Sequence, residues 1–229
     1  MGGKKKSVED YAAEAYQGIR RMFFVNEIGP NQKLSYADLA KKLKMSTTPV
    51  IQALKKLEFQ GLVRHEPNRG YYTQSISLEE IVEIYDFREL IERSLLRKTI
   101  TLLDAQKLEL LEMALTAHLE AVRDIFLKER LLKDMEFHLT LAQLSGCRIQ
   151  VETLRSLFDL LYLKYRGSML FVTPMEQVDS AHRELFDCIA ARRTEDAELV
   201  LGEHIRQVKT HAITSIGKIL DESSTTKIW

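Results

Sequence analysis

Residues that make turns or cross-links are scarce in this sequence. With 4 prolines and 10 glycines in 229 residues, there is little room for a turn-rich all-β fold. The two cysteines, Cys147 and Cys188, form no Cys-x-x-Cys pair and no disulfide framework. Free thiols in a reducing cytoplasm are expected. No run approaches the ~18 apolar residues that a membrane span needs. The lysines at positions 4–6 precede no apolar core, so no secretory signal is expected. Net charge is also lacking, with 33 Lys and Arg against 33 Asp and Glu. What remains is an ordinary globular balance, 45% hydrophobic and 29% charged, which argues against disorder and low complexity.

The charge is absent only in total. Residues 1–75 hold 13 Lys and Arg against 7 Asp and Glu, and the rest of the chain holds the acidic excess. Such asymmetry points to an electrostatic partner for the basic part. Apolar spacing predicts a helix over 8–28, ended by Gly29-Pro30-Asn31. Ser35 caps a short helix with Asp38 three residues on. A second short helix starts at Ser46 or Thr48, takes Pro49 in its first turn and stops at Gly61. Residues 62–65 and 71–73 read as strands around the Pro67-Asn68-Arg69-Gly70 turn. From Ser77 onward the pattern is helical. Six helices with short connections are predicted, starting with the Ser77–Glu80 capping box and forming an antiparallel bundle. The fold class is therefore mainly α, with a winged helix-turn-helix over 8–75 and a helical domain over 77–221.

The second helix of such a pair lies in the major groove and offers its N-terminal residues to base edges. Here these are Thr47, Thr48 and Gln52. Gln pairs with adenine and Thr contacts the thymine methyl. Lys41, Lys55, Lys56, Arg64 and Arg69, with Lys42 and Lys44, are placed to meet phosphates, which position a protein without reading sequence. The expected partner is double-stranded operator DNA.

Six histidines punctuate the chain. Asp134 and His138 stand at i and i+4, one turn apart on one helix face. His182 and His204 lie on consecutive helices, each 11 residues from Arg193, so an antiparallel hairpin sets them opposite each other. Three imidazoles and a carboxylate suit a divalent metal, Zn²⁺ or Ni²⁺ foremost and Mn²⁺ as an alternative. His65 and His118 have no visible partner.

The stretch LSYADLAKKLKMSTTPVIQALKKLEFQGLVRHEPNRGYYTQ resembles the DNA-binding domain of GntR-type bacterial regulators. Its LA-x-x-L segment, its S-x-T-P-V-x-x-AL-x-x-LE-x-x-GLV segment and its P-N-R-G wing carry the likeness. The helical remainder resembles the FCD effector domain of the FadR-type subgroup. The resemblance implies a homodimeric repressor that binds two half-sites. It implies the same quartet as metal ligands, and a small carboxylate effector held through open coordination positions. The chain departs from the family at Thr47, where Arg is usual, and at Ile51-Gln52, where Arg-Glu is usual. This implies an altered operator sequence or weaker DNA binding. For the effector, Arg88 lies in the Y-x-x-R-x-x-I-E segment, Tyr162 and Arg166 close the fourth bundle helix, and His211 follows His204 by one heptad. Two other functions fit the residues: a metal-dependent metabolite sensor that does not read DNA, and a helical-bundle metallohydrolase.

Overall fold

The computed structural model describes residues 7–121, 127–165 and 175–225. The chain divides into two compact units. The first comprises residues 1–76 together with 159–166, and the second comprises 77–158 and 167–229.

The first unit opens with α1 (Val8–Phe24), whose capping box links Ser7 and Asp10 reciprocally. A two-residue strand β1 (Lys33–Leu34) follows. Next come α2 (Tyr36–Leu43), where Ser35 accepts from the Asp38 amide, and α3 (Thr47–Phe59), capped at Ser46 without a side-chain bond. The turn between them runs through Lys44 in the left-handed region. Gly61, at φ 73°, reverses the chain after α3, a conformation that a Cβ would strain. Strands β2 (Val63–Glu66) and β3 (Gly70–Thr73) form the wing. The sheet has three strands in the order β1-β3-β2, all antiparallel, with Val63 opposite Thr73 and Lys33 opposite Tyr72. β1 is the strand that sequence alone does not reveal, since two residues display no alternation. Ile19 and Phe23 of α1, Leu39 of α2, Val50, Leu54 and Leu57 of α3 and Tyr71 of β3 close the core.

The second unit is built from α4 (Leu78–Thr101), α5 (Ala105–Ala121), α6 (Leu127–Gln143), α7 (Arg148–Asp159), α8 (Met175–Ala190) and α9 (Thr194–Thr225). α4 packs along α9 and α6, α5 along α6 and α8, and α9 along α8. Ser77 caps α4 by accepting from the Glu80 amide. Arg192 ties the α8–α9 connection to the end of α4 by donating to the carbonyls of Ile100 (2.9 Å) and Leu103 (2.5 Å). Among the described residues, no helix is long and apolar enough to cross a membrane.

The fourth bundle helix does not reach Tyr162 as a regular α-helix. α7 widens into a π turn at Leu160–Lys164, an i→i+5 geometry that is rare in helices. Residues 159–166 belong to the first unit. Asp159 there pairs with both terminal nitrogens of Arg20, each at 2.5 Å, and Tyr162 stacks on Phe24 at 4.9 Å between ring centroids. Leu161, Leu163 and Tyr165 are buried.

Candidate metal centre and nucleic-acid surface

On the first unit, α3 buries Val50, Ala53, Leu54 and Leu57 and turns Thr47, Thr48, Gln52, Lys55 and Lys56 outward. Lys41 and Arg69 are also exposed. Several of the predicted phosphate contacts already have partners, Lys42 with Glu27 at 3.4 Å and Arg69 with Glu66 at 3.7 Å among them. The Lys56 ammonium stands over the Tyr16 ring at 4.2 Å. Arg64, half-buried, donates to the Thr73 carbonyl at 2.7 Å and to Glu66 at 3.3 Å. Ile51, which interrupts this polar face in the sequence, is half-buried. The Tyr16 hydroxyl donates to Gln60 at 2.8 Å and accepts from Arg20 at 2.9 Å, so α1 fixes the pose of α3.

In the second unit, α6 supplies Asp134 and His138, α8 supplies His182 and α9 supplies His204. All four are buried, and one ligand atom from each falls within 4.8 Å of the others. The helices bring them there for the reasons legible in the spacing: one turn separates the α6 pair, and the α8–α9 hairpin aligns the other two.

The tautomers follow from what each ring touches on its outer side. His138 directs Nδ1 at a Glu92 carboxylate oxygen, 2.6 Å away. His182 directs Nδ1 at the Val178 carbonyl, 2.8 Å away. A carboxylate and a carbonyl only accept, so both Nδ1 atoms carry hydrogen in the neutral rings. Both Nε2 atoms then present lone pairs. They lie 3.2 Å apart, with an Asp134 oxygen 3.4 Å from that of His182. The buried Nε2 of His204 has no hydrogen-bond partner. Acceptors that converge without a donor repel one another, and a cation at their centre removes the repulsion. The donor set fits a borderline divalent ion.

Electrostatics prepare the same site. Burial, then the neighbouring His204, holds the His182 pKa well below its usual value. Burial, then His138, pushes His204 down to about 3. Neutral imidazole is the metal-binding form. Burial opposes ionisation of Asp134, but the surrounding histidines more than offset it and keep the carboxyl ionised. Glu92 is likewise opposed by burial, yet Arg88 and His138 bring it down to about 2.

Glu92 was not singled out from the sequence. It lies 46 positions from His138 on another helix, and no spacing rule connects them. It forms a buried ion pair with Arg88 and orients His138, as carboxylates behind ligating histidines do. His118, for which the sequence shows no partner, lies beside the quartet. It is fully buried, with its ring 4.4 Å from that of His182, and neither ring nitrogen has a hydrogen-bond partner. Its Nε2 lies 3.5 Å from Asp179, which also pairs with buried Arg130 at 3.3 Å.

Among the residues expected to hold an effector, Arg88 is buried beside the quartet's own partner Glu92, with its guanidinium over Phe158 at 4.7 Å. Its Nη2 has no hydrogen-bond partner. His211 is half-buried on α9. Tyr162 lies in the first unit against Phe24, and Arg166 falls outside the described residues. Glu136 and Glu203, which adjoin the quartet in sequence, are both exposed.

Comparison with known proteins fits this architecture. The family of bacterial regulatory proteins, gntR family, matches residues 11–72, and the FCD domain matches residues 83–207. The chain belongs to the GntR family of transcriptional regulators that carry an FCD domain, and is a regulator rather than an enzyme. It is similar to the HTH-type transcriptional repressor RspR of Escherichia coli (strain K12), at 24% identity over 92% of this chain and 91% of that protein. It is also similar to the uncharacterized HTH-type transcriptional regulator YdhC of Bacillus subtilis (strain 168), at 23% identity over 93% of each chain. Two solved structures share the fold. E. coli McbR/YncC matches with TM-score 0.77 at 19% identity, over 93% of this chain and all of that one. A putative GntR regulator from Rhodococcus sp. RHA1 matches with TM-score 0.75 at 24% identity, over 89% of this chain and 97% of that one.

Proposed function

We propose that this regulator is a homodimeric repressor whose operator binding is set by a small carboxylate metabolite, held through a divalent metal at Asp134, His138, His182 and His204. The observation that carries the metal is the convergence of three imidazoles and a carboxylate on one buried point, where the Nε2 atoms of His138 and His182 face each other as acceptors. Zn²⁺ or Ni²⁺ suits this set best, and Mn²⁺ is the weaker fit. When bound, the metal supplies Lewis-acid positions for an anionic ligand. The chain's own contribution is to keep the His182 and His204 imidazoles neutral, to orient His138 through Glu92 and to offer the Nη2 of Arg88, which lacks a hydrogen-bond partner, to the ligand's carboxylate. His211 extends the same α9 face. Tyr162 is assigned to the packing of the first unit.

On DNA, Thr47, Thr48 and Gln52 read bases while Lys41, Lys55, Lys56, Arg64 and Arg69 meet phosphates. Without the family's usual arginines, the operator contains fewer guanines read by bidentate contacts. An effector changes DNA affinity only to the extent that it binds one domain arrangement better than the other.

The test combines metal analysis with operator selection. Purified protein is expected to carry about one equivalent of metal, and His182→Ala and His204→Ala are expected to lose it. Genomic fragments selected at about 150 mM salt, where non-specific binding is weak, are expected to share one palindromic motif. Unchanged metal content in both variants overturns the metal site. A failure to recover any motif, with metal present and absent and across a panel of small carboxylates, overturns the operator reading.

A further inference from the structure

The quartet is not the last polar layer inside the bundle. Arg130 precedes Asp134 by four residues on α6, and Asp179 precedes His182 by three on α8. Each pair therefore shares a helix face, one turn apart. The contacts across the two helices repeat in step. Asp134 lies 3.4 Å from the His182 Nε2, and one turn earlier Asp179 pairs with Arg130 at 3.3 Å. His118 of α5 touches both layers. Its ring is 4.4 Å from the His182 ring, and its Nε2 is 3.5 Å from Asp179. Arg130 and His118 are buried.

This second layer has the chemistry of an anion site. A guanidinium stays charged and repels a second metal ion. Burial lowers the Arg130 pKa, and the attraction of Asp179 and Asp134 does not fully offset it. The layer therefore remains short of negative charge. Neither ring nitrogen of His118 has a hydrogen-bond partner, yet one of them carries hydrogen in either tautomer. A buried donor without an acceptor is costly, and a ligand oxygen relieves that cost. Asp179 is the movable member. Its side chain is 22% exposed, so water can receive it when another carboxylate takes its place. Glu92, the partner of Arg88, is buried and also holds His138, so that pair stays closed.

We propose that Arg130 and His118 form a second carboxylate position one turn from the quartet, and that the effector of this regulator is a short dicarboxylate spanning the two. The proposal rests on the metal-held carboxylate above and narrows its chemical class. One carboxylate sits at the quartet beside Arg88. The other displaces Asp179 from Arg130 and accepts the hydrogen bond that His118 has to give. One helical turn advances about 5.4 Å, a span that about two or three carbons between two carboxylates cover. A monocarboxylate of the same length leaves Asp179 in place and sets its apolar end against polar groups, so it binds more weakly. Asp179 thereby sets the selectivity, since only an incoming carboxylate can replace its charge on Arg130.

The full-length protein loaded with Zn²⁺ is titrated by calorimetry with succinate against butyrate, and with glutarate against valerate. In the better-fitting pair the dicarboxylate is expected to bind about 10- to 100-fold more tightly than the monocarboxylate, the value of one charge-assisted hydrogen-bonded contact. Arg130→Gln is expected to abolish that ratio and to leave monocarboxylate binding unchanged. His118→Phe is expected to reduce the ratio severalfold. Asp179→Asn is expected to raise dicarboxylate affinity severalfold, because it removes the competing charge. A pair that served folding alone would make the same substitution neutral or harmful to binding. Circular dichroism and metal analysis report the fold and loading of each variant. Equal binding of the two acids in both pairs, or a ratio that survives Arg130→Gln in folded, loaded protein, overturns the second position and leaves the metal-held carboxylate standing. Should Arg130→Gln not fold, Asp179→Asn decides, and dicarboxylate binding that is unchanged or weaker overturns the second position. If none of the four acids binds the loaded protein, both readings fall.

Discussion

The two functional regions hold their charges in opposite ways. On α3 and the wing, most cations stand in solvent and hold at most a local partner, as Lys56 does on Tyr16 and Arg69 beside Glu66. Inside the bundle, Arg88, Glu92 and Asp134 are buried and bound into one network with three histidines. Charges in water interact weakly and are screened by salt. Charges removed from water must be paired, and losing one member exposes the desolvation cost of the other. Single substitutions on the proposed DNA surface are therefore expected to act independently, while those in the bundle interior act as a set.

The largest expected effect breaks the interior. Glu92→Leu leaves Arg88 buried without its carboxylate, and about 3–5 kcal/mol of unfolding free energy is expected to be lost, read from urea midpoints. Glu92→Gln keeps the shape and is expected to weaken metal binding by about 10- to 100-fold, read by competition with a chelator. A Glu92→Leu protein as stable as wild type would mean that the pair is not truly desolvated.

Metal removal comes next. A ligand bound only by the folded state stabilises it by about 2.7 kcal/mol at one hundred times its dissociation constant. Chelation is expected to lower the melting temperature by several degrees, and to do nothing to His182→Ala.

Acid tests the same network in the metal-free protein. The folded His204 takes up its proton only near pH 3, against an ordinary value of 6.5. The unfolded chain therefore binds the extra proton first, and stability falls as the pH drops from 6.5 toward 3. Glu92, at about 2 against an ordinary 4.5, stabilises the folded state above pH 4.5 and ceases to do so as the pH falls toward 2. Together a loss on the order of a few kcal/mol is expected between pH 7 and 4. A flat urea midpoint over that range would contradict the neutral-imidazole site.

The smallest effect belongs to the exposed surface. Lys55→Ala is expected to reduce the slope of log affinity against log salt by about 0.9, the release of one counterion, without moving the urea midpoint. Lys56→Ala is expected to shift both, since its ammonium also lies on Tyr16.

The same contrast explains what sequence alone reveals. The winged helix is legible because its signals are local: Ser35 as a cap, Gly61 as a stop, and a turn at 67–70. The gathering of Asp134, His138, His182 and His204 is legible because i, i+4 spacing and symmetry about Arg193 are helical geometry. Glu92 and His118 are not legible, because only tertiary packing brings α4 and α5 against the ring edges of α6 and α8. The π turn is equally hidden. Its leucines and tyrosines fit an amphipathic helix, and nothing in their spacing tells which core buries them.

That segment bears on how the protein can be divided. A fragment ending at Ile76 carries every residue proposed to face DNA, yet it omits Asp159–Tyr165. Arg20 would then lose its carboxylate and Phe24 its stacked ring, and the surface of α1 that meets the π turn would open to water. The reading head is thus encoded in two separate stretches of the gene. Grafting it onto another effector domain is a two-piece exchange, and positions 20 and 159 travel together or the graft arrives incomplete.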